Sequence, residues 1–296
     1  MFAVSNIKQQ RIKPMNKLYR TGVFLVLCMY INLPVFAASI VTVEIKLTEN
    51  GKSLTKREII TTDGDNARLD FLGEAKEKTD KTPYLLTIDG GKSWILGNTY
   101  KGEFYCANVD PVAFFKNIGE IVTDVVALVN PKMLDIKVDK TKEAPGPEIL
   151  GFPTTQVQLV TTAKAQATFM FKKYEYTIKI TDNLWYTTKL EIQPFRKRWM
   201  EALKQSGYDK LDKMFSDWAK QLPGPVLKQE SEVILTNVIK NETQTQKEKA
   251  EITSFKEVKS SEIPKDTFTV PKCENINQKQ LESTAKDMVK QGKLGL

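Results

Sequence analysis

Apolar and polar side chains alternate along the first part of the chain. Between residues 40 and 48, valine, isoleucine and leucine alternate with threonine, glutamate and lysine, which is typical of a strand with one buried face. Asn50-Gly51 follows, and this dipeptide favours a tight hairpin turn. Strands are predicted over residues 40–48, 54–62, 67–71, 84–88, 93–96 and 102–107, with Asp- and Gly-rich turns between them. This pattern predicts an antiparallel meander.

The period of the pattern changes at Asp110-Pro111, where a helix is predicted to begin because Asp is a favoured helix cap and Pro a favoured first helical residue. Apolar residues follow at helical spacing, namely Phe114, Phe115, Ile118, Ile121, Val122 and Val125. Lys116 and Glu120 interrupt them, so this helix is predicted to be amphipathic and too charged to cross a membrane. It is predicted to end near Asn130-Pro131.

Strand and helix patterns alternate in the remainder of the chain. Strands are predicted over residues 134–138, 155–161, 167–173 and 176–180, with a short extended piece at 184–186. A second helical pattern covers residues 195–222, in which Gly207 favours a break. A polar hairpin is predicted over residues 226–240 and 245–259, followed by an extended piece at 268–270 and a polar helical tail over residues 277–296.

The first 37 residues have the pattern of a cleavable secretory signal peptide. A basic segment, Met15–Arg20, precedes an apolar run over residues 22–31 and a small-residue exit. Cleavage is predicted between Ala37 and Ala38, and we interpret Met15 as the true start, with residues 1–14 as mis-annotated upstream sequence. The protein is therefore predicted to be periplasmic or secreted, with no transmembrane segment after cleavage.

Removal of the signal peptide changes the charge of the chain. The first 37 residues contain five basic and no acidic residues, so the net charge falls from +8 to +3. This balance is ordinary and lysine supplies most of the positive charge, so a nucleic-acid partner is not predicted. The chain shows no low-complexity linker and no internal repeat, and one domain is predicted over residues 38–276.

Candidate chemistry is limited by what the composition lacks. The chain has no histidine, which excludes histidine-based triads and histidine metal ligands. No phosphate-binding loop or dinucleotide motif occurs, so no cofactor, no metal and no catalysis are predicted. A carboxylate hydrolase stays open as a third class, because acidic residues are plentiful but no pair stands out. After cleavage Cys106 and Cys273 remain, and they are either a disulfide pair or two buried thiols.

Six short motifs occur in an order that resembles a known superfamily. They cover residues 62–70, 83–92, 149–154, 183–186, 222–227 and 263–268. With the signal peptide and the helix inserted between strands, they resemble the periplasmic lipoprotein-carrier half-barrels, the LolA/LppX-like proteins, and in particular their uncharacterised secreted members. The resemblance implies an α+β fold, a curved antiparallel half-barrel of about 10–12 strands with inserted lid helices. It also implies an apolar cavity that takes a lipid or the acyl chains of a lipoprotein.

The candidate site residues follow from this resemblance. The six apolar residues of the 114–125 helix would contact an acyl chain as a lid, and the alternative is ordinary core packing. Arg68 would point inward and hydrogen-bond a helix carbonyl to hold the lid shut, and the alternative is a solvated strand residue. Trp94 would line the cavity, and the alternative is again a core residue.

The sequence therefore predicts a secreted binding protein that holds a lipid-like ligand or an acylated protein partner without catalysis. The alternative is a structural or sensory module of the cell envelope whose barrel is filled by its own side chains. Such a module would bind a protein partner through a sheet edge or through the 226–259 hairpin.

Overall fold

The computed structural model describes residues 38–49, 52–73, 79, 82–100, 103–112, 132–169, 172–190, 194–205, 209–270 and 274–275. They contain a single sheet of 12 strands. The strands are β1 Ala38–Glu49, β2 Lys52–Asp63, β3 Asn66–Gly73, β4 Tyr84–Thr87, β5 Trp94–Tyr100, β6 Glu103–Val109, β7 Lys132–Pro145, β8 Thr155–Phe169, β9 Lys172–Tyr186, β10 Val226–Asn237, β11 Glu242–Glu257 and β12 Glu274–Asn275. Two helices, α1 Pro194–Leu203 and α2 Asp209–Lys220, lie between β9 and β10.

The sheet is unclosed and almost entirely antiparallel. Its order is β12-β6-β5-β4-β3-β2-β1-β11-β10-β9-β8-β7, so β7 and β12 are its two ends. Only β12 pairs in parallel, with β6, and the other eleven strands pair antiparallel. The predicted α+β class and strand number are confirmed. The predicted lid helix lies outside the described residues, apart from Pro111 and Val112, which are helical.

Two local predictions are wrong. Residues 155–186 form two long strands of 15 residues each rather than three short strands and a separate extended piece. The segment between residues 161 and 167 contains no Gly, Pro, Asn or Asp, so nothing in it ends a strand. Residues 268–270 are predicted to be extended, but they form no strand, and residues 265–268 are turns. The backbone N–H of Thr267 donates to the carbonyl of Pro264, and that of Thr269 donates to the carbonyl of Asp266.

One face of the sheet, here called the inner face, carries the main core. Val41, Val43 and Ile45 of β1 mark it, because they are fully buried while their neighbours in the strand are not. In antiparallel pairs, directly opposite residues share a face, and this face continues through Ile60 on β2 and Leu184 on β9. The helices α1 and α2 complete the same core, so they cover the inner face.

The sequence of α2 explains why it lies against the inner face. Met214, Phe215 and Trp218 repeat at helical spacing and form an apolar stripe that packs into the core. Asp209 and Asp212 lie in its first turn and Lys220 in its last, which suits the helix dipole. Among the described residues, no helix is long and apolar enough to span a lipid bilayer.

The opposite face, here called the outer face, has its own small core at β3–β6. Tyr84, Leu86 and Cys106 are buried there, and Phe268 packs against them from the C-terminal segment, residues 260–270. Cys106 is disulfide-bonded, and its partner lies outside the described residues. This face therefore holds the C-terminal segment, whereas the inner face holds the helices.

Candidate functional site

The structure separates the two described residues that the sequence analysis placed in one cavity. Trp94 lies on the inner face, in the main core, and its ring packs edge-on against Phe195 of α1 at a centroid distance of 5.8 Å. Arg68 lies on the outer face, opposite Leu86, so the predicted inward orientation of Arg68 is wrong. The six lid residues, Phe114, Phe115, Ile118, Ile121, Val122 and Val125, lie outside the described residues.

Arg68 fastens the C-terminal segment to the outer face. Its Nε donates to Asp70 Oδ1 at 2.8 Å and its Nη1 donates to the carbonyl oxygen of Thr267 at 3.2 Å. The guanidinium also lies over the ring of Tyr84, 4.4 Å from the centroid. The side chain is only 12% exposed, so the solvated alternative is wrong as well. Arg68 does hold a backbone carbonyl, but it is a carbonyl of the C-terminal segment.

The most unusual feature of the inner face is a group of polar side chains in its apolar surface. Asp182 on β9 lies opposite Ser231 on β10, and Ser231 lies opposite Glu248 on β11. These three residues therefore form a row across three neighbouring strands, and Gln229 lies diagonally next to Glu248 on the same face. All four are buried. We call them, together with Glu58 of β2, the carboxyl cluster.

Asp182 is the carboxylate of this cluster that accepts several hydrogen bonds. Its Oδ1 accepts a hydrogen bond from the hydroxyl of Ser231 and another from Gln229 Nε2 at 3.4 Å. The side chain of Trp218 donates a further hydrogen bond from α2. Burial raises the pKa of Asp182, and these three hydrogen bonds act in the opposite direction. The bond from Trp218 joins the cluster directly to the helix that covers it.

Glu248 is the carboxyl group of the cluster that has no hydrogen bond from a described residue. Its side chain is 5% exposed, and neither of its oxygens has a hydrogen-bond partner among the described residues. Burial, with the nearby charges of Asp182 and Glu58, raises the pKa of Glu248 to about 8, although Lys56 lowers it. Glu248 is therefore mainly protonated at neutral pH. The Oε1 atom of Gln229 is likewise buried and has no partner in the described part of the chain.

The arrangement of the cluster limits its chemistry. Within the described ranges, no group of acidic residues and cysteine is arranged to hold a metal ion. Asp182 and Glu248 belong to strands on either side of β10, so their backbones lie about 10 Å apart at the usual strand spacing. Both carboxyls are buried, and their residues are 4% and 5% exposed. The cluster therefore suits recognition of a polar group more than hydrolysis.

The carboxyl cluster is not among the residues predicted from the sequence, although the strand patterns contain a signal for it. On β9 the positions at 178, 180, 182 and 184 share one face and read Ile, Ile, Asp, Leu. A charged residue within such an apolar row marks a buried polar group. Glu248 follows the same rule on β11, where Ala250 and Ile252 are its inner-face neighbours. Which strands are neighbours, however, cannot be read from these rows.

Comparison with known proteins gives matches among solved structures alone. No family model matches the chain, and no curated protein matches it. A structure of PNGF-II matches at TM-score 0.35 and 14% identity over 86% of this chain and 33% of that chain, so this chain spans about a third of its length. A LolA superfamily protein from Nitrosomonas europaea matches at TM-score 0.27 and 11% identity, over 82% of this chain and 94% of that chain.

A DUF1329 family protein from Desulfovibrio piger matches at TM-score 0.26 and 7% identity, over 86% of this chain and 95% of that chain. A LolA superfamily structure is thus among the structures that the chain matches, as the sequence motifs predict. All three TM-scores are below 0.5.

Proposed function

We propose that the protein is a periplasmic or secreted binding protein that holds a lipid-like or acylated ligand on the inner face without catalysis. The observation that carries the proposal is that the apolar inner face is covered by two short amphipathic helices, while the sheet itself does not close. Helices packed mainly by apolar contacts can be displaced by another apolar group, because such burial is non-directional. The signal-peptide pattern of the first 37 residues supports the location.

Two measurements test this proposal. Native mass spectrometry of the gently extracted protein is expected to find a bound lipid, and the purified protein is expected to take up a fluorescent fatty acid. In Met214→Lys, a charge enters the half-buried stripe of α2, and uptake is expected to fall at least about tenfold. Val238→Lys places the same charge on an exposed turn and is expected to leave uptake unchanged. Absence of both bound lipid and fatty-acid uptake would overturn the proposal.

A second candidate function is a protein-interaction module of the cell envelope. Phe195, Phe215 and Trp218 are already buried against the inner face, so the described part of the interior is filled by the chain itself. The turn between β10 and β11 also exposes two neighbouring apolar residues, Val238 at 46% and Ile239 at 59%. This observation favours a partner that contacts the tip of the β10–β11 hairpin.

The two functions can be separated with a crosslinker placed at the turn. A photoreactive residue at position 240 is expected to capture one envelope protein in a living cell if the module is the function. The double variant Val238→Ser and Ile239→Ser is then expected to lose that crosslink while lipid content stays at background. A protein that carries the photoreactive residue at position 240 without the two serine substitutions, contains lipid and gives no crosslink would exclude this second function.

A further inference from the structure

The carboxyl cluster contains more hydrogen-bond acceptors than donors. Both oxygens of Glu248 and the Oε1 of Gln229 are buried without a partner among the described residues. Leaving buried polar atoms unpaired costs free energy, so their presence in an otherwise apolar face calls for an explanation. Ser231 and the indole of Trp218 do not supply it, because both donate to Asp182.

The three unpaired acceptors can converge on one group. Glu248 and Gln229 occupy diagonal positions on neighbouring strands, so their backbones lie about 7–8 Å apart and both side chains stand on the inner face. A primary ammonium group carries three N–H donors on a single nitrogen, one for each of the three oxygens. A hydroxyl carries one donor, and a carboxylate carries none.

The charge around the cluster also favours a cation. The charged groups that face Glu248 are Asp182 on β9 and both Glu58 and Lys56 on β2. Three carboxyls therefore stand against one ammonium, and a second ammonium would reduce this excess of acidic groups. Burial of a charge is tolerated when it is paired and hydrogen-bonded, which is the environment that the cluster offers.

We propose that Glu248 and Gln229 bind the primary ammonium group of an amphiphile whose apolar chain lies on the inner face. This inference rests on the proposed function and adds the chemical class of the ligand's polar group. The three oxygens are buried in the described structure, and the hydrogen bond from Trp218 to Asp182 connects α2 to the cluster. Entry of the ligand therefore requires α2 to move away from the inner face.

Proton release distinguishes this site from ordinary apolar binding. An ammonium stabilises the ionised form of Glu248, so binding near neutral pH releases the proton that the free protein holds there. Octylamine affinity is expected to rise about tenfold per pH unit from pH 6 towards pH 8, with about one proton released per ligand at pH 6. Octanol binding has no such pH dependence, since an alcohol does not need the ionised carboxyl.

Isothermal titration calorimetry with octylamine, octanol and octanoate tests the proposal, in two buffers of different ionisation enthalpy to count protons. The wild type is expected to bind octylamine at least about tenfold more tightly than octanol at pH 8, and octanoate most weakly. In Glu248→Gln, the preference for octylamine and the proton release are expected to disappear while octanol binding persists. Glu257→Gln, an exposed carboxyl on the same strand, is the matched control and is expected to behave as wild type.

The possible failures are distinguishable. Octanol binding without a preference for octylamine would overturn the ammonium site and leave the proposed function intact. Proton release that persists in Glu248→Gln would show that another group binds the amine, which also overturns the assignment. Binding of none of the three compounds, together with the absence of bound lipid and of fatty-acid uptake, would overturn the proposed function itself.

Discussion

The carboxyl group of Glu248 is buried, and neither water nor a hydrogen bond from a described residue stabilises its negative charge. Its pKa is raised from 4.5 to about 8, so the folded state holds this proton more tightly than the unfolded chain. The contribution of Glu248 to stability is therefore greatest below about pH 4.5, falls as the pH rises, and levels off above about pH 8. We predict that Glu248→Gln removes this decline and raises the free energy of unfolding at pH 8 by a few kcal/mol, about 1.4 per unit of pKa shift.

Urea unfolding between pH 5 and pH 9 measures this effect. The wild-type and Glu248→Gln values are expected to lie close together at pH 5 and to diverge steadily up to pH 8. Glu257→Gln removes a carboxyl that is exposed at the end of the same strand and is expected to follow the wild type throughout. If the unfolding free energies of wild type and Glu248→Gln change in parallel with pH, the pKa of Glu248 is the same in the folded and unfolded states. That result would contradict the prediction.

Arg68 illustrates a single side chain that joins distant parts of the chain. It pairs with Asp70 and donates to the carbonyl of Thr267, and both Arg68 and Asp70 are largely buried. We predict that Arg68→Ala lowers the free energy of unfolding by about 3 kcal/mol, because removing one partner of a buried ion pair leaves the other partly uncompensated. It is also expected to release the C-terminal segment, so that trypsin cuts faster after Lys265.

Arg57 provides the matched control for this prediction. It lies on the neighbouring strand β2, and its Nη2 is 3.9 Å from Glu44 in a largely exposed pair. Arg57→Ala is expected to change stability by less than about 0.5 kcal/mol and to leave cleavage after Lys265 unchanged. Equal effects of the two substitutions would contradict a fastening role for Arg68.

At the scale of elements, the placement of α1 depends on one close backbone contact. Gly91, in the turn between β4 and β5, has φ +87°, and a Cβ there would lie 2.9 Å from the Cα of Phe195 in the first turn of α1. We predict that Gly91→Ala destabilises the protein about 1–3 kcal/mol more than Gly64→Ala does. Gly64 also has a positive φ of +57° but open space around it, so its substitution carries the conformational strain alone.

Thermal unfolding and near-ultraviolet circular dichroism check this prediction together. Gly91→Ala is expected to weaken the aromatic signal, to which Trp94 contributes because its ring packs on Phe195, whereas Gly64→Ala is expected to preserve it. An unchanged aromatic signal in Gly91→Ala would mean that α1 is not held by this contact.

Elements could be predicted from the sequence wherever the pattern is local. Alternation in β1 and the helical stripe of α2 both follow from the spacing of neighbouring residues. The carboxyl cluster could not, because Asp182, Ser231 and Glu248 meet only through strand order and register, which set distant residues opposite one another. Arg68 was assigned to the wrong face for the same reason: the phase of β3 alone does not say which face the helices cover.

At the scale of the whole molecule, the C-terminal end of the described fold pairs with β6, at one end of the sheet. The short strand β12 pairs with Tyr105 and Cys106 of β6, so the C-terminal segment crosses the outer face to reach the far end of the sheet. Long-range pairing of this kind pays a large entropic cost of loop closure in the unfolded chain. A covalent link at this point would remove much of that cost.

Cys106 is disulfide-bonded, and Cys273 directly precedes the strand that pairs with it. We predict that Cys106 and Cys273 form this disulfide, since the remaining cysteine, Cys28, lies in the predicted signal peptide. Closing so long a loop is worth about 4–5 kcal/mol in the chain-entropy model, so Cys273→Ser is expected to lower the free energy of unfolding by up to that amount. Peptide mapping without reductant is expected to find residues 106 and 273 in one linked pair, and two free thiols in the mature protein would contradict the assignment. If the link is present, reduction should loosen the C-terminal segment first, so that trypsin cleavage after Lys265 accelerates before the inner face is lost.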